Sequence, residues 1–359
     1  MMRFLLKKSA EKRVQGFLSD FDINWRRAAP AFEAEVPGSG SRDAFETWVA
    51  LMEAVLEEHF TADTTESFRS FSQPPEHGVA AERIVRTEVV GETAYVLTDC
   101  FATSLDMFHE FTLVREGAGW RIRSIAQHFG DPTQPSASPT AIQEALARTA
   151  ADAPWDPMPD EQARLDENRN FTDREVTMPE EEETTEARVV EVGTLVTRSG
   201  ALAVIDFGYD NDWAKPLART VPPGSYPVDR VTGFGLNAAL RVRFTDRVPV
   251  TWHPATRPDQ GNVIGVDAGC VCIVDYPAYA QMTPRAKAAV YDDSLRAPHP
   301  VVLDVPLGAD EVGIAADSGH GDGSYPVLWG VDADGVVAQL VVDFLVLVTE
   351  DDDEELITL

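Results

Sequence analysis

The sequence predicts an α+β protein in two parts: helices packed against a curved antiparallel sheet, then a mostly-β domain. Three observations predict it. Apolar residues recur at spacings of three and four near the amino terminus, and the pattern becomes strand-like from about residue 82. Past residue 190, short β-rich runs are punctuated by Gly and Pro. Between the two, residues 151–190 carry 13 acidic and 4 basic side chains with few large apolar ones, the composition of a solvated separator. The expected layout is 1–131 for the first domain and 132–189 for an acidic, Pro-rich linker with a short helix. A mostly-β domain over 190–350 and an acidic tail over 351–359 complete it.

The elements follow in order. Val14, Phe17, Leu18, Phe21 and Trp25 form one helical stripe, and Pro30 is expected to end that helix. A second helix is expected from about Asp43 to Phe60, burying Phe45, Trp48, Met52, Val55, Leu56 and Phe60, with Asp43 and Glu46 suited to its first turn. Strands are expected at Glu82–Val90, Thr93–Phe101, Met107–Glu116 and Trp120–Phe129, with hairpin turns at Gly91 and Gly117. Alternation puts Tyr95, Leu97, Asp99 and Phe101 on one face, Met107, His109, Phe111 and Leu113 on the next, and Trp120, Ile122, Ser124, Ala126 and His128 on the last. If all three sets face the helices, Asp99, His109 and His128 gather near one opening. A short helix follows Asp131–Pro139, with Thr140 and Gln143 as its capping box and Ile142 and Leu146 as its apolar stripe.

Helices followed by a meander ending in Gly119-Trp120-Arg121-Ile122 resemble the NTF2-like superfamily. With Asn24-Trp25-Arg26-Arg27 and Thr93-Ala94-Tyr95-Val96, the likeness is to the NTF2-fold immunity proteins of bacterial polymorphic toxin systems, over about residues 14–131. The resemblance implies a cone-shaped sheet and a protein-neutralising role.

In the carboxy-terminal part, strands are expected at 191–197, 201–207, 236–244, 263–274, 301–305 and 336–348, and a helix at Thr283–Leu295 with Thr283 as cap and Pro284 at its first position. Three signatures stand out: Pro222–Val228, Gly265–Gly269 followed by Asp275, and Ser318–Gly335 followed by Asp343-Phe344. Together they resemble the uncharacterised bacterial family called domain of unknown function 4241, over about residues 190–348. Phe207 after Asp206 departs from the Pro expected there. The resemblance implies a fold and no mechanism.

Candidate chemistry is sparse. Ser318–Gly323 holds three Gly, so its N–H groups are able to form an anion nest. With Ser318, Gly321, Asp322, Tyr325 and Trp329 it is the candidate ligand loop. Asp317 and Asp322 oppose an anion, and a tight loop between strands is the expected reading. Asp332-Ala-Asp-Gly335 begins like a calcium loop, but the apolar run after it favours a D-G turn. Asp206, Asp267, Asp275, Asp322 and Asp343 lie at strand ends, where a converging pair would suit acid–base work. Asp99, His109 and His128 form the best enzymatic constellation. Cys100, Cys270 and Cys272 make a poor disulfide framework and read as reduced thiols, and no His or Cys lies at finger spacing from Cys270-x-Cys272. No metal and no cofactor are expected, and no Walker, G-x-S-x-G, H-E-x-x-H or Rossmann motif occurs.

Sixty acidic residues against 30 basic give a net charge of −30, which repels phosphate and argues against nucleic acid as a partner. The short apolar piece Phe4-Leu5-Leu6 is no secretory signal, and no apolar run is long enough for a membrane span, so a cytoplasmic protein is expected. The expectation is therefore a non-catalytic binding protein, an immunity protein with a basic toxin domain as partner. The alternative is an acid–base or hydrolytic enzyme with its site in the cone mouth or around 318–323.

Overall fold

The computed structural model describes residues 2–33, 41–101, 107–117, 119–159, 165–179, 183–208, 214–258, 261–308, 310–350 and 356–358. The chain divides into two compact units, Met1–Thr133 and Gln134–Leu359. Both combine helices with antiparallel sheet, an α+β protein.

The amino-terminal unit packs α1 (Met2–Glu33) and α2 (Ser41–His59) with one antiparallel sheet of β1 (Glu82–Val90), β2 (Thr93–Cys100), β3 (Met107–Glu116) and β4 (Gly119–Phe129), in the order β1-β2-β3-β4. Val14, Phe17, Leu18 and Phe21 bury as one stripe of α1 against Trp48, Met52 and Val55 of α2. Pro30 does not end α1, as expected, but lies inside it. It lies in the last turn and removes the bond an N–H would give the Arg26 carbonyl, and the helix runs only three residues beyond it. Phe45 is exposed rather than buried, although its ring meets Phe32 edge-on at 4.9 Å. The side chain of Asp43 lies outside the described residues.

The strands match their expected bounds to within one residue, but not every face does. On β2 the core side is Ala94, Val96, Thr98 and Cys100, all buried, while Phe101 beyond the strand is exposed. Small side chains on that row let the helices approach, which size-blind alternation misses. On β3, His109, Phe111 and Leu113 face the core as expected. On β4 a bulge between the pairs Thr112–Ser124 and Leu113–Ile122 inserts one residue, so parity inverts beyond Arg123.

The carboxy-terminal unit begins with α3 (Pro139–Leu146), α4 (Glu167–Asn170), β5 (Arg174–Met178) and β6 (Glu183–Thr197). It continues with β7 (Leu202–Asp206), β8 (Gly224–Gly233), β9 (Leu236–Arg243), β10 (Thr251–Pro254), β11 (Val263–Val266) and β12 (Cys270–Asp275). Then come α5 (Tyr276–Ala280), α6 (Pro284–Ser294), β13 (Val302–Pro306), β14 (Val312–Asp317), β15 (Gly323–Val331), β16 (Val337–Asp343), β17 (Val348–Glu350) and β18 (Leu356–Thr358). Twelve strands form one sheet along the path β10-β15-β16-β9-β8-β6-β14-β12-β7, with β11, β13 and β5 pairing at its sides. β17 and β18 pair apart, and β18 lies within the region read as an acidic tail.

The segment read as a linker is built into this unit. Leu165, Phe171, Val176 and Ala187 are buried in its main core, and Ile142 in a second cluster around β7 and β12. Arg241 bonds Glu167 at 2.6 Å and lies 4.3 Å from the Phe171 ring centre, fastening α4 to the sheet. Arg219 lies 3.5 Å from the Trp155 ring centre, and that ring stacks on His253. A handful of apolar side chains is enough because they meet a preformed sheet face. Glu180–Glu182 lie outside the described residues. The cap of α3 is Ser138, whose hydroxyl accepts Ala141 N–H, with Pro139 at the first turn, two residues before the expected box.

The expected helix near 283–295 is present as α6, and Thr283 caps it by accepting Ala286 N–H. The expected strand 263–274 is two strands, broken where Gly269 takes φ +63°. The run 336–348 is broken after β16, where Leu345 takes φ +57°. β8, β14 and β15 were hidden by the Gly, Pro and Ser within or beside them.

Candidate active site and carboxy-terminal loops

A buried polar cluster forms where three strands of the amino-terminal unit meet the chain entering β1. Ala81 and Glu82 donate their N–H groups to the Gly78 carbonyl, a turn that sets His77 beside the start of β1. Gly78 has φ +143°, and a Cβ there would meet Asp22 at 3.3 Å. The ladder pairs Glu82 with Cys100 and Thr98 with His109, so four polar side chains share the core face.

The geometry is tight. Glu82 Oε1 lies 2.6 Å from His77 Nδ1 and 3.2 Å from His109 Nδ1. Its other oxygen accepts the Thr98 hydroxyl at 2.5 Å. Cys100 Sγ lies 3.4 Å from His109 Nδ1. The two imidazole centres are 4.7 Å apart, and Phe17, Phe21 and Phe68 present ring edges around His77. Burial by itself raises the Glu82 carboxyl, but hydrogen bonds and charge from His109 and His77 outweigh it and lower it to about 2. Burial lowers His109, but its bonds to Cys100 and Glu82 outweigh that and raise it to about 10. A carboxylate and an imidazolium therefore face each other in the interior at neutral pH.

A cavity of about 260 Å³ reaches this cluster. His109, Cys100, Met107, Gln127, Ala81 and Pro74 are among its lining residues. A small molecule seated there would meet a proton donor and a thiol.

Of the three residues expected to share an opening, only His109 is here. Asp99, Phe108 and His128 form one cross-strand row on the opposite face. Asp99 accepts two bonds from Arg83, at 2.6 and 3.0 Å, and His128 lies 3.9 Å from Glu110. The β4 bulge is the reason His128 turns away from His109. His77, Glu82 and Thr98 were missed: His77 lies in a loop, and Glu82 opens a strand without any periodic signal. The run of small residues at alternate positions of β2 was the one clue to the face they occupy.

In the carboxy-terminal unit the candidate loop closes on itself. The hydroxyls of Ser318 and Tyr325 both donate to the Gly321 carbonyl, at 2.7 and 2.8 Å. Gly319 and Gly321 take φ +66° and +94°. Asp322 is exposed, and Trp329 is buried in β15, paired across the sheet with His253 and Leu340. Ser318, Gly321 and Tyr325 are brought together as a turn, and Trp329 takes no part in it.

Of the scattered carboxylates, Asp206, Asp275 and Asp343 serve the fold. Asp275 caps α5 and accepts from Thr197, Arg198 and Ser199. Asp206 accepts the N–H groups of Asp267 and Ala268, and Asp267 is itself exposed. Asp343 Oδ1 accepts Leu345 N–H, while Oδ2 has no hydrogen-bond partner among the described residues. Burial raises that carboxyl to about 6, against the Leu345 bond. Asp332–Gly335 is a turn: Asp332 Oδ1 accepts from Asp334 and Val336, and Arg247 pairs with both Asp332 and Asp334. Cys270 and Cys272 are buried in β12 as free thiols. Burial, with charge from Asp317 and Asp206, raises Cys270 to about 12, and burial holds Cys272 well above the usual thiol range.

Comparison with known proteins finds a match within the carboxy-terminal unit. Residues 195–342, from within β6 to within β16, match the family described as Protein of unknown function (DUF4241). This is the family the three signatures resemble. No curated protein and no solved structure matches the chain.

Proposed function

We propose that the chain is a non-catalytic binding protein of the immunity type, with an NTF2-like amino-terminal domain, that neutralises a basic bacterial toxin domain in the cytoplasm. The observation that carries this reading is the charge of −30, from 60 acidic and 30 basic residues. A field of that size steers a basic partner toward the surface and keeps nucleic acid away from it. The second helix supports the reading, since it buries Trp48, Met52 and Val55 while Glu46, Glu53, Glu57 and Glu58 are exposed. So does the carboxy-terminal unit, where Asp206, Asp275 and Ser318 are engaged in the fold's own hydrogen bonds.

The test is co-expression with a basic toxin domain encoded beside this gene. Protection is expected, with association that weakens about tenfold or more from low to moderate salt. A neighbourhood without a secreted toxin, and no protection by co-expression, removes the reading.

One observation favours a second reading, an acid–base or hydrolytic enzyme: the cavity bordered by His109 and Cys100 with Glu82 behind. A small-molecule screen of the native protein and of His109→Ala separates the two. Binding that the substitution abolishes supports the enzyme. No binding, with a more stable variant, excludes it.

A further inference from the structure

We propose that His77, Glu82 and His109 form a binding site for a zinc-class divalent metal ion, with Cys100 and the adjoining cavity bordering its fourth coordination position. The donors come from three separate places in the chain: the loop before β1, the first residue of β1, and β3. Their ligating atoms nonetheless lie within 4.8 Å of one another, and all three residues are buried. Both histidines direct the same ring nitrogen, Nδ1, at one carboxylate oxygen. An ionised carboxylate oxygen carries two lone-pair sites, and here both face ring nitrogens that can ligate a metal.

The spacings fit an ion. Nitrogen and oxygen ligands at 2.0–2.1 Å from zinc in a tetrahedron stand about 3.3 Å apart, and a sulfur ligand stands slightly further from its neighbours. Glu82 Oε1 to His109 Nδ1 is 3.2 Å, and His109 Nδ1 to Cys100 Sγ is 3.4 Å. The 2.6 Å separation of His77 from Glu82 has to open by less than an ångström to admit an ion. Two imidazoles, a carboxylate and a nearby thiol suit zinc or cobalt rather than calcium or magnesium, which take oxygen sets. The Thr98 hydroxyl on Oε2 fixes the carboxylate plane and leaves Oε1 to the ion, an outer contact of the kind that orients metal ligands. The negative carboxylate partly offsets the charge of a dication in this interior.

The test uses the full-length, untagged protein, stripped with a chelator and titrated with Co²⁺ and then Zn²⁺. One equivalent of Co²⁺ is expected to give the visible absorption of a tetrahedral site, to be displaced by Zn²⁺, and to raise the thermal midpoint. Glu82→Gln and His109→Gln are expected to weaken binding at least about hundredfold, while His128→Gln, altered on the opposite face, leaves it unchanged. Absence of stoichiometric binding to the native protein overturns the proposal, as does undiminished binding by a folded Glu82→Gln or His109→Gln variant. Should those variants fail to fold, X-ray absorption on the zinc-loaded native protein decides. A shell with two imidazoles supports the site, and a shell with fewer overturns it.

Discussion

Asp343 shows how one buried side chain couples stability to pH. Its carboxyl is raised from 3.8 to about 6, so folding favours the protonated acid. The stability contributed by protonation is full below about pH 3.8 and is lost as pH rises through 6. The loss amounts to about 3 kcal/mol at neutral pH. Asp343→Asn keeps an acceptor for Leu345 N–H and cannot ionise. Its urea midpoint relative to the native protein should rise between pH 4 and pH 7, and a constant difference would contradict the account. Glu82 behaves in the opposite way, since it accepts from two imidazoles and a hydroxyl. Glu82→Ala leaves those donors buried without their acceptor and should cost about 3–5 kcal/mol in denaturant unfolding. These residues were poorly legible. The sequence singles out His109, but neither His77 nor Glu82 carries a spacing that points to it, because their meeting depends on a turn and on sheet register.

At the scale of elements, strands and helices were legible wherever apolar periodicity ran unbroken, as in β1 to β4 and α6. Faces were less so. A single inserted residue near Arg123 reverses which side of β4 meets the core, and nothing in the composition of Arg121–Ile125 announces it. β15 escaped notice because Gly323, Ser324 and Pro326 obscure a strand whose other residues, Val327–Val331, are wholly buried. The acidic segment misled in a different way, since average charge conceals the contribution of a few anchors. Phe171 is one of them. Phe171→Ala should lower the stability of the carboxy-terminal unit by about 3 kcal/mol or more. A solvated tether would show no change in the same melting experiment.

For the whole molecule, the division near residue 133 sets what can be separated. A fragment spanning 134–359 retains Leu165, Phe171, Val176 and Ala187 and should unfold cooperatively. A fragment spanning 190–359 lacks them, along with β5 and the first part of β6, and should be aggregated or molten. Circular dichroism and thermal melting of the two fragments check this, and equal stability would contradict it. The match over 195–342 is thus narrower than the folding unit that contains it. Among the described residues no helix is long and apolar enough to cross a membrane.

The distribution of sulfur has a practical corollary. Cys100 belongs to one body, and Cys270 and Cys272 to the other, and all three are buried in the native state, Cys100 on the wall of a cavity. Each body thus carries its own chemical alarm. Graded exposure to a maleimide, followed by peptide mass analysis, would reveal which half opens first as temperature climbs, without attaching any dye.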